Sequence, residues 1–208
     1  MHIPLCETSE VSVLDFETAL RAALQPADDY DVSRWLFVPN RYDEYRYILG
    51  TRGARPLICF GINPSTAAPD RLDNTLKSAE RIALHNGFDS FIMLNLYAQR
   101  ATDPDDMERN FNAHLHEENK RAFSYALSLC PGTPVVWAAW GNIVEKRPFL
   151  HLCLREMIAL GQSRGVRWVS AGKISKKGHP HHPLYLKKDS ALDAFDMDGY
   201  YRLICSRT

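Results

Sequence analysis

The sequence predicts an α/β fold: a three-layer αβα arrangement around a mostly parallel, four-stranded central sheet, with a short helix and short strands added at the N-terminus. Three observations predict it. Four continuous apolar runs, "RPLICFGI" (55–62), "FIMLNLY" (91–97), "PVVWAAW" (134–140) and "VRWVSAG" (166–172), read as strands covered on both faces. Segments of helical periodicity separate them, as right-handed crossovers between parallel strands require. Turn and cap residues mark the junctions, among them Asn63-Pro64, Asp73-Asn74 and Gly87.

The elements follow in order. "VSVLDFETALRAAL" (11–24) has the spacing of a peripheral helix. "RWLFVPNRYDEYRYILG" (34–50) reads as two short strands about a Pro-Asn turn. The first buried strand and the loop "NPSTAAPDRLD" lead to a helix over 74–87, capped by Asp73 or Asn74 and stopped at Gly87. The second strand leads through the polar loop "QRATDPDD" to a helix around 108–129. After the third strand, Asn142 is the expected cap of a helix across 143–161. The fourth strand, the loop "KISKKGHPHHPLYL" and a final helix near 189–205 complete the chain. No internal repeat, low-complexity segment or long linker interrupts it. Residues 1–208 are therefore expected to form one domain, with 1–33 a peripheral segment and 34–208 the α/β core.

Composition narrows the function classes. Hydrophobic residues make up 45% of the chain, enough for one sizeable core. Lys and Arg number 25 against 25 Asp and Glu, so the formal net charge is +0. That argues against a strong overall field for nucleic acid or membrane, though a local basic patch is compatible with it. The five cysteines have no CxxC spacing, which leaves a zinc or iron–sulfur site unsupported. Their scatter fits reduced thiols. The start "MHIPLCETSE" lacks the pattern of a signal peptide, and no apolar run approaches the roughly 18 residues of a membrane helix. A cytoplasmic protein without a membrane partner, metal or cofactor is expected.

In parallel-sheet folds, ligands bind outside the carboxyl ends of the strands. Four strand-end segments are therefore the places to look. In Gly61-Ile62-Asn63-Pro64-Ser65-Thr66, Pro64 fixes its own φ and holds Asn63 extended. The Asn63 amide offers one acceptor and two donors, enough to orient a water or read a polar ligand. The bland alternative is a strand-to-loop turn capped by Ser65 or Thr66. Asn95 stands within "FIMLNLY", where an unpaired amide costs about 1–3 kcal/mol. A neighbouring loop or a ligand must satisfy it. Arg100, Thr102 and Asp103 follow in a polar loop. The third segment, Trp140-Gly141-Asn142, has the form of a strand-to-helix junction whose free N–H groups can receive an anion. Trp140, and Trp137 before it, equally suit the core. The fourth surrounds His179, His181 and His182 with Lys173, Lys176, Lys177, Lys187 and Lys188. The lysines can meet phosphates or simply face water. Pro180 and Pro183 break any helical spacing of the histidines, so a metal is not expected there.

Taken in order, "NPSTA", "DNT", "NLYAQRATDP", "WGN" and "KKGHPHHPLYL" resemble the domain of unknown function 1643 family, over about Tyr45 to Leu186. More distantly, four features resemble the uracil-DNA glycosylase superfamily. These are "GINP" at Gly61–Pro64, "MLN" at Met93–Asn95, the strand end Trp140-Gly141 and the His182-Pro183 loop.

The second resemblance implies a fold of that type and a hydrolase that cleaves a base–sugar N-glycosidic bond. Its substrate would be DNA or a nucleoside or nucleotide. Asn63 would position water at the sugar C1′ and His182 would stabilise charge on the departing base. Asn95 would read the polar edge of the base. Gly61, Ile62, Pro64, Ser65, Thr66, Tyr97, Arg100, Trp140, Gly141, Asn142, Lys177, His179, Pro183 and Tyr185 would complete the substrate-binding set. Two departures stand out. Asn occupies position 63, where other branches of that superfamily carry Asp. The His-Pro motif continues Leu184-Tyr185-Leu186, and His179-Pro180 is a second candidate for it. The same residues equally suit a module that binds a nucleotide or nucleic acid without cleaving it.

Overall fold

A computed structural model describes residues 1–206. Among them, five α-helices pack against one seven-stranded mixed sheet. The strands are β1 (Trp35–Val38), β2 (Ile48–Thr51), β3 (Pro56–Gly61), β4 (Ser90–Asn95), β5 (Val135–Ala138), β6 (Arg167–Ala171) and β7 (Leu192–Ala194), in the spatial order β1-β2-β4-β3-β5-β6-β7. The pairs β4–β3, β3–β5 and β5–β6 are parallel. The pairs β1–β2, β2–β4 and β6–β7 are antiparallel. The expected count of four central strands is thus enlarged to seven. The two N-terminal strands join one edge of the same sheet, and the three residues of β7 join the other.

The five helices are α1 (Phe16–Ala23), α2 (Asn74–His85), α3 (Ala113–Ser128), α4 (Pro148–Ser163) and α5 (Met197–Cys205). Alternation along each strand divides the core between the two faces of the sheet. One face carries Ile58, Phe60, Leu94 and Ala138 against residues of α1, α3, α4 and α5. The other carries Leu57, Cys59, Met93 and Trp137 against Leu76, Ala79, Ile82 and Ala83 of α2. The chain direction explains this division. From β3 it moves one way to β4 through α2, then back past β3 to β5 and β6 through α3 and α4. Right-handed crossovers in opposite directions place their helices on opposite faces.

Local chemistry sets the helix starts. Asp15, Asp73, Asn112 and Asp196 accept from backbone N–H groups of α1, α2, α3 and α5. Asn142 does not act as a cap, contrary to expectation. A 3₁₀ turn occupies Gly141–Glu145, and α4 begins at Pro148 with Arg147 in the cap position. Pro148 supplies the fixed φ of a first helical turn, which moves the start about one turn later than 143. The final helix is likewise shorter than expected, because β7 takes the first part of 189–205. No helix among the described residues is long and apolar enough to cross a membrane.

Candidate functional site

The direction of chain travel reverses at β3, so β3 and β5 flank a crevice at their carboxyl ends. A cleft of about 750 Å³ opens there. The segments after β3 and β5, the end of β4, the first turn of α2 and the 180–185 loop border it. The volume lies within the roughly 300–1,000 Å³ typical of small-molecule sites.

Asn63, Asn95 and His182 all line this cleft. Asn63 is held by its amide nitrogen, which donates to the carbonyls of Ala101 at 2.8 Å and Pro64 at 3.1 Å. The amide oxygen is left as the acceptor. Pro64 in turn accepts from the Ala101 N–H at 2.9 Å, so the loop after β3 is tied to the loop after β4.

Asn95 is 1% exposed at the end of β4, yet neither Oδ1 nor Nδ2 has a partner among the described residues. The expected neighbouring-loop partner for this amide is not found among them. Only its backbone carbonyl is held, by Asn119 Nδ2 at 2.8 Å. Gly61 stands opposite Asn95 in the β3–β4 register. A Cβ at position 61 would lie 2.9 Å from Asn95 Oδ1 and 2.6 Å from Met93 Cε. The absence of a side chain at Gly61 makes room for the amide.

His182 caps the short turn Pro183–Tyr185, with the Leu184 N–H donating to Nδ1 at 3.3 Å. Burial lowers its pKa to about 4; the Asp73 charge opposes that shift and His181 adds to it. The ring is therefore neutral at pH 7. With Nδ1 accepting, its proton sits on Nε2 and makes that atom a donor. Gly141, at φ +62, lets the chain turn tightly beneath this ring, and a Cβ there would meet His182 Cβ at 3.4 Å. Pro183 is buried behind the turn, where its carbonyl accepts from Ser78 Oγ of α2 at 2.9 Å.

Of the other expected residues, Ile62, Ser65, Thr66, Gly141, Asn142 and Tyr185 border the cleft. Tyr97, Arg100, Trp140, Lys177 and His179 do not, and neither do Gly61, Pro64 and Pro183. Tyr97 is buried with its hydroxyl bound to Glu108 and to the Asn112 N–H, the latter at 3.0 Å. Trp140 donates from Nε1 to Tyr200 Oη at 2.9 Å. His179 is fully buried between that hydroxyl, 2.8 Å from Nδ1, and Glu145, 3.0 Å from Nε2. Hydrogen bonds from His179 and Lys177 hold the Glu145 carboxyl well below the usual range. Among the described residues no group of three or more His, Cys, Asp or Glu is placed to hold a metal.

Arg46, Asp73 and Thr75 also line the cleft, although the sequence did not mark them as site residues, and so do Met93 of the "MLN" motif and the candidate histidine His181. The position of Arg46 follows from its neighbours in the structure. It alternates with Tyr45 and Tyr47, whose side chains enter one core, so its own side chain turns to the opposite face. Asp73 was read only as a cap, which it is, but its position at the start of α2 also puts it at the cleft.

The fold and the cleft define an α/β protein with a polar crevice at a topological switch point. The family described as "Protein of unknown function (DUF1643)" matches residues 46–184, and the chain belongs to it. No curated protein and no solved structure matches the chain.

Proposed function

We propose that this protein is a glycosylase-like hydrolase on a uracil-DNA-glycosylase-like fold, cleaving the N-glycosidic bond between a base and a sugar in DNA or in a nucleoside or nucleotide. The observation that carries the reading is the Asn95 amide. It is buried, without a partner among the described residues, and at the same cleft as Asn63 and His182. A buried amide left unpaired is destabilising, so it is best explained by a ligand that pairs with it. A base edge presents the matching donor and acceptor.

The chemistry follows from charge. As the C1′–N bond breaks, its electron pair goes to the base and positive charge grows on the sugar. Neutral His182 can donate from Nε2 to the base as negative charge develops, without proton transfer. The Asn63 oxygen can accept from a water and aim its lone pair at C1′. The water oxygen then bonds to C1′, and its released proton balances the departing base. Asp73 adds a carboxylate to the same cleft, the sign that suits the cationic sugar. For a substrate in DNA the nucleotide must leave the stack, and the exposed Leu184 and Tyr185 stand at the rim where such a strand would pass.

A second reading, a module that holds a nucleotide or nucleic acid without cleaving it, draws on Asn63 itself. An amide orients water but is a weaker base than a carboxylate.

Chromatography of free bases distinguishes the two. Nucleosides, nucleotides and single- and double-stranded oligonucleotides would be incubated with wild type, Asn63→Ala and His182→Ala. Base release by wild type that both variants lose supports the hydrolase. Binding with no release from any substrate supports the module and ends the hydrolase reading.

A further inference from the structure

Two buried arginines stand behind the cleft. Arg46, just before β2, is 1% exposed, and Arg100, after β4, is 0% exposed. Each donates from Nη1 to the Ala67 carbonyl, at 3.1 and 3.2 Å respectively, and Arg100 Nη1 also donates to the Ser65 carbonyl. Two like charges thus converge on one acceptor in the loop that follows β3. The Arg100 guanidinium also lies 4.2 Å from the centre of the Tyr42 ring. Nε and Nη2 of both arginines lack a hydrogen-bond partner among the described residues. Neither guanidinium forms an ion pair there. Only Arg46 reaches the cleft wall.

Buried charges in proteins are ordinarily paired, because desolvation without a partner is strongly unfavourable. Burial lowers both pKa values, that of Arg46 to about 9 and that of Arg100 to about 10, and leaves both groups cationic at neutral pH. Asp73 acts on both guanidinium groups, and Asp43 and Glu44 on Arg100, from beyond ion-pair distance. What is missing among the described residues is an anion in contact with them. The planar guanidinium fork matches the oxygens of a phosphate, and here it is already desolvated and held in place.

We infer that Arg46, braced by Arg100, is the anion-binding end of the cleft and receives the terminal phosphate of a free nucleotide. The inference rests on the proposed reading that the cleft holds a base and its sugar. A DNA strand keeps its phosphodiesters at the surface, where exposed cations meet them. Arg46 offers nitrogens almost inaccessible from outside. A phosphate enclosed in the cleft together with its sugar suits that depth better than one on a continuous strand. The neutral overall charge and the Lys177–Glu145 ion pair are in keeping with a small substrate.

Calorimetric titration of the full-length protein tests this. The titrants are a panel of nucleosides, their 5′-monophosphates, inorganic phosphate and a single-stranded oligonucleotide. The expected result is a monophosphate that binds at least about tenfold more tightly than its nucleoside, the scale of a charge-assisted contact. Inorganic phosphate competes with it, and Arg46→Gln abolishes the preference. Equal affinity for nucleoside and monophosphate overturns the inference, as does a preference that Arg46→Gln retains. Tighter binding of the oligonucleotide than of every monophosphate also overturns it. Should Arg46→Gln fail to fold by circular dichroism, the wild-type comparison and the phosphate competition decide the matter. Monophosphate binding without base release leaves this inference standing and ends the hydrolase reading. Base release that is indifferent to phosphate does the reverse.

Discussion

Gly61 and Asn95 face each other at the ends of adjacent parallel strands, and the space a side chain at 61 would take is occupied by the Asn95 amide. The last residue of β3 thereby controls where the last side chain of β4 points. Gly61→Ala is expected to push the amide or Met93 aside, because a Cβ would approach Oδ1 to 2.9 Å and Met93 Cε to 2.6 Å. The cost is about 1–3 kcal/mol of stability, typical of overpacking. Urea denaturation measures it, and ligand affinity should fall in the same variant.

Asn95→Leu should act in the opposite sense on stability. It replaces a buried amide that has no partner among the described residues with an apolar group of similar shape. Unfolding free energy is expected to rise by about 1 kcal/mol while ligand binding is lost. A loss of stability would mean that the amide has a partner in the folded protein after all.

The neutral state of His182 predicts a pH dependence. Its folded pKa of about 4 lies below the ordinary 6.5, so the unfolded chain takes up the extra proton first as pH falls. The contribution to stability is fully present above about pH 6.5 and is lost progressively toward pH 4. Melting temperatures between pH 7 and 4 should fall more steeply for wild type than for His182→Asn. Base release should hold level through pH 6, where a histidine of ordinary pKa would already be half protonated or more.

Tyr200→Phe separates support from chemistry. It removes the hydroxyl that Trp140 Nε1 donates to and that lies 2.8 Å from His179 Nδ1. Two buried groups lose a partner, at about 1–3 kcal/mol for each group left unsatisfied. The melting temperature should drop with little change in the substrate's KM, since neither Trp140 nor His179 borders the cleft.

The fold was legible wherever long apolar runs met turn chemistry. β3, β5 and β6 lie within their buried runs, β4 begins one residue before its run, and of the two cap candidates Asp73 is the one that caps α2. β7 was not legible, because three residues, two of them exposed, carry no period. The start of α4 was misplaced because Gly141-Asn142 has the form of a helix start, whereas both residues lie inside a 3₁₀ turn. Within the candidate site, Asn63, Asn95 and His182 stood out because amides and imidazoles are conspicuous at the ends of apolar strands. His179 and His182 could not be told apart by spacing. The difference is tertiary, since Tyr200 and Glu145 enclose the one and leave the other at the cleft. Arg46 was hidden for the same reason: an arginine between two tyrosines reads as surface until the sheet that buries it is known.

The most direct test of the central claim is a crystal structure of the wild-type protein with a hydrolysis-product base bound. The base is expected in the cleft, with its polar edge within about 3 Å of both Asn95 amide atoms and one acceptor at His182 Nε2. A base seated elsewhere, or an Asn95 amide paired with the protein's own backbone in that structure, would contradict it.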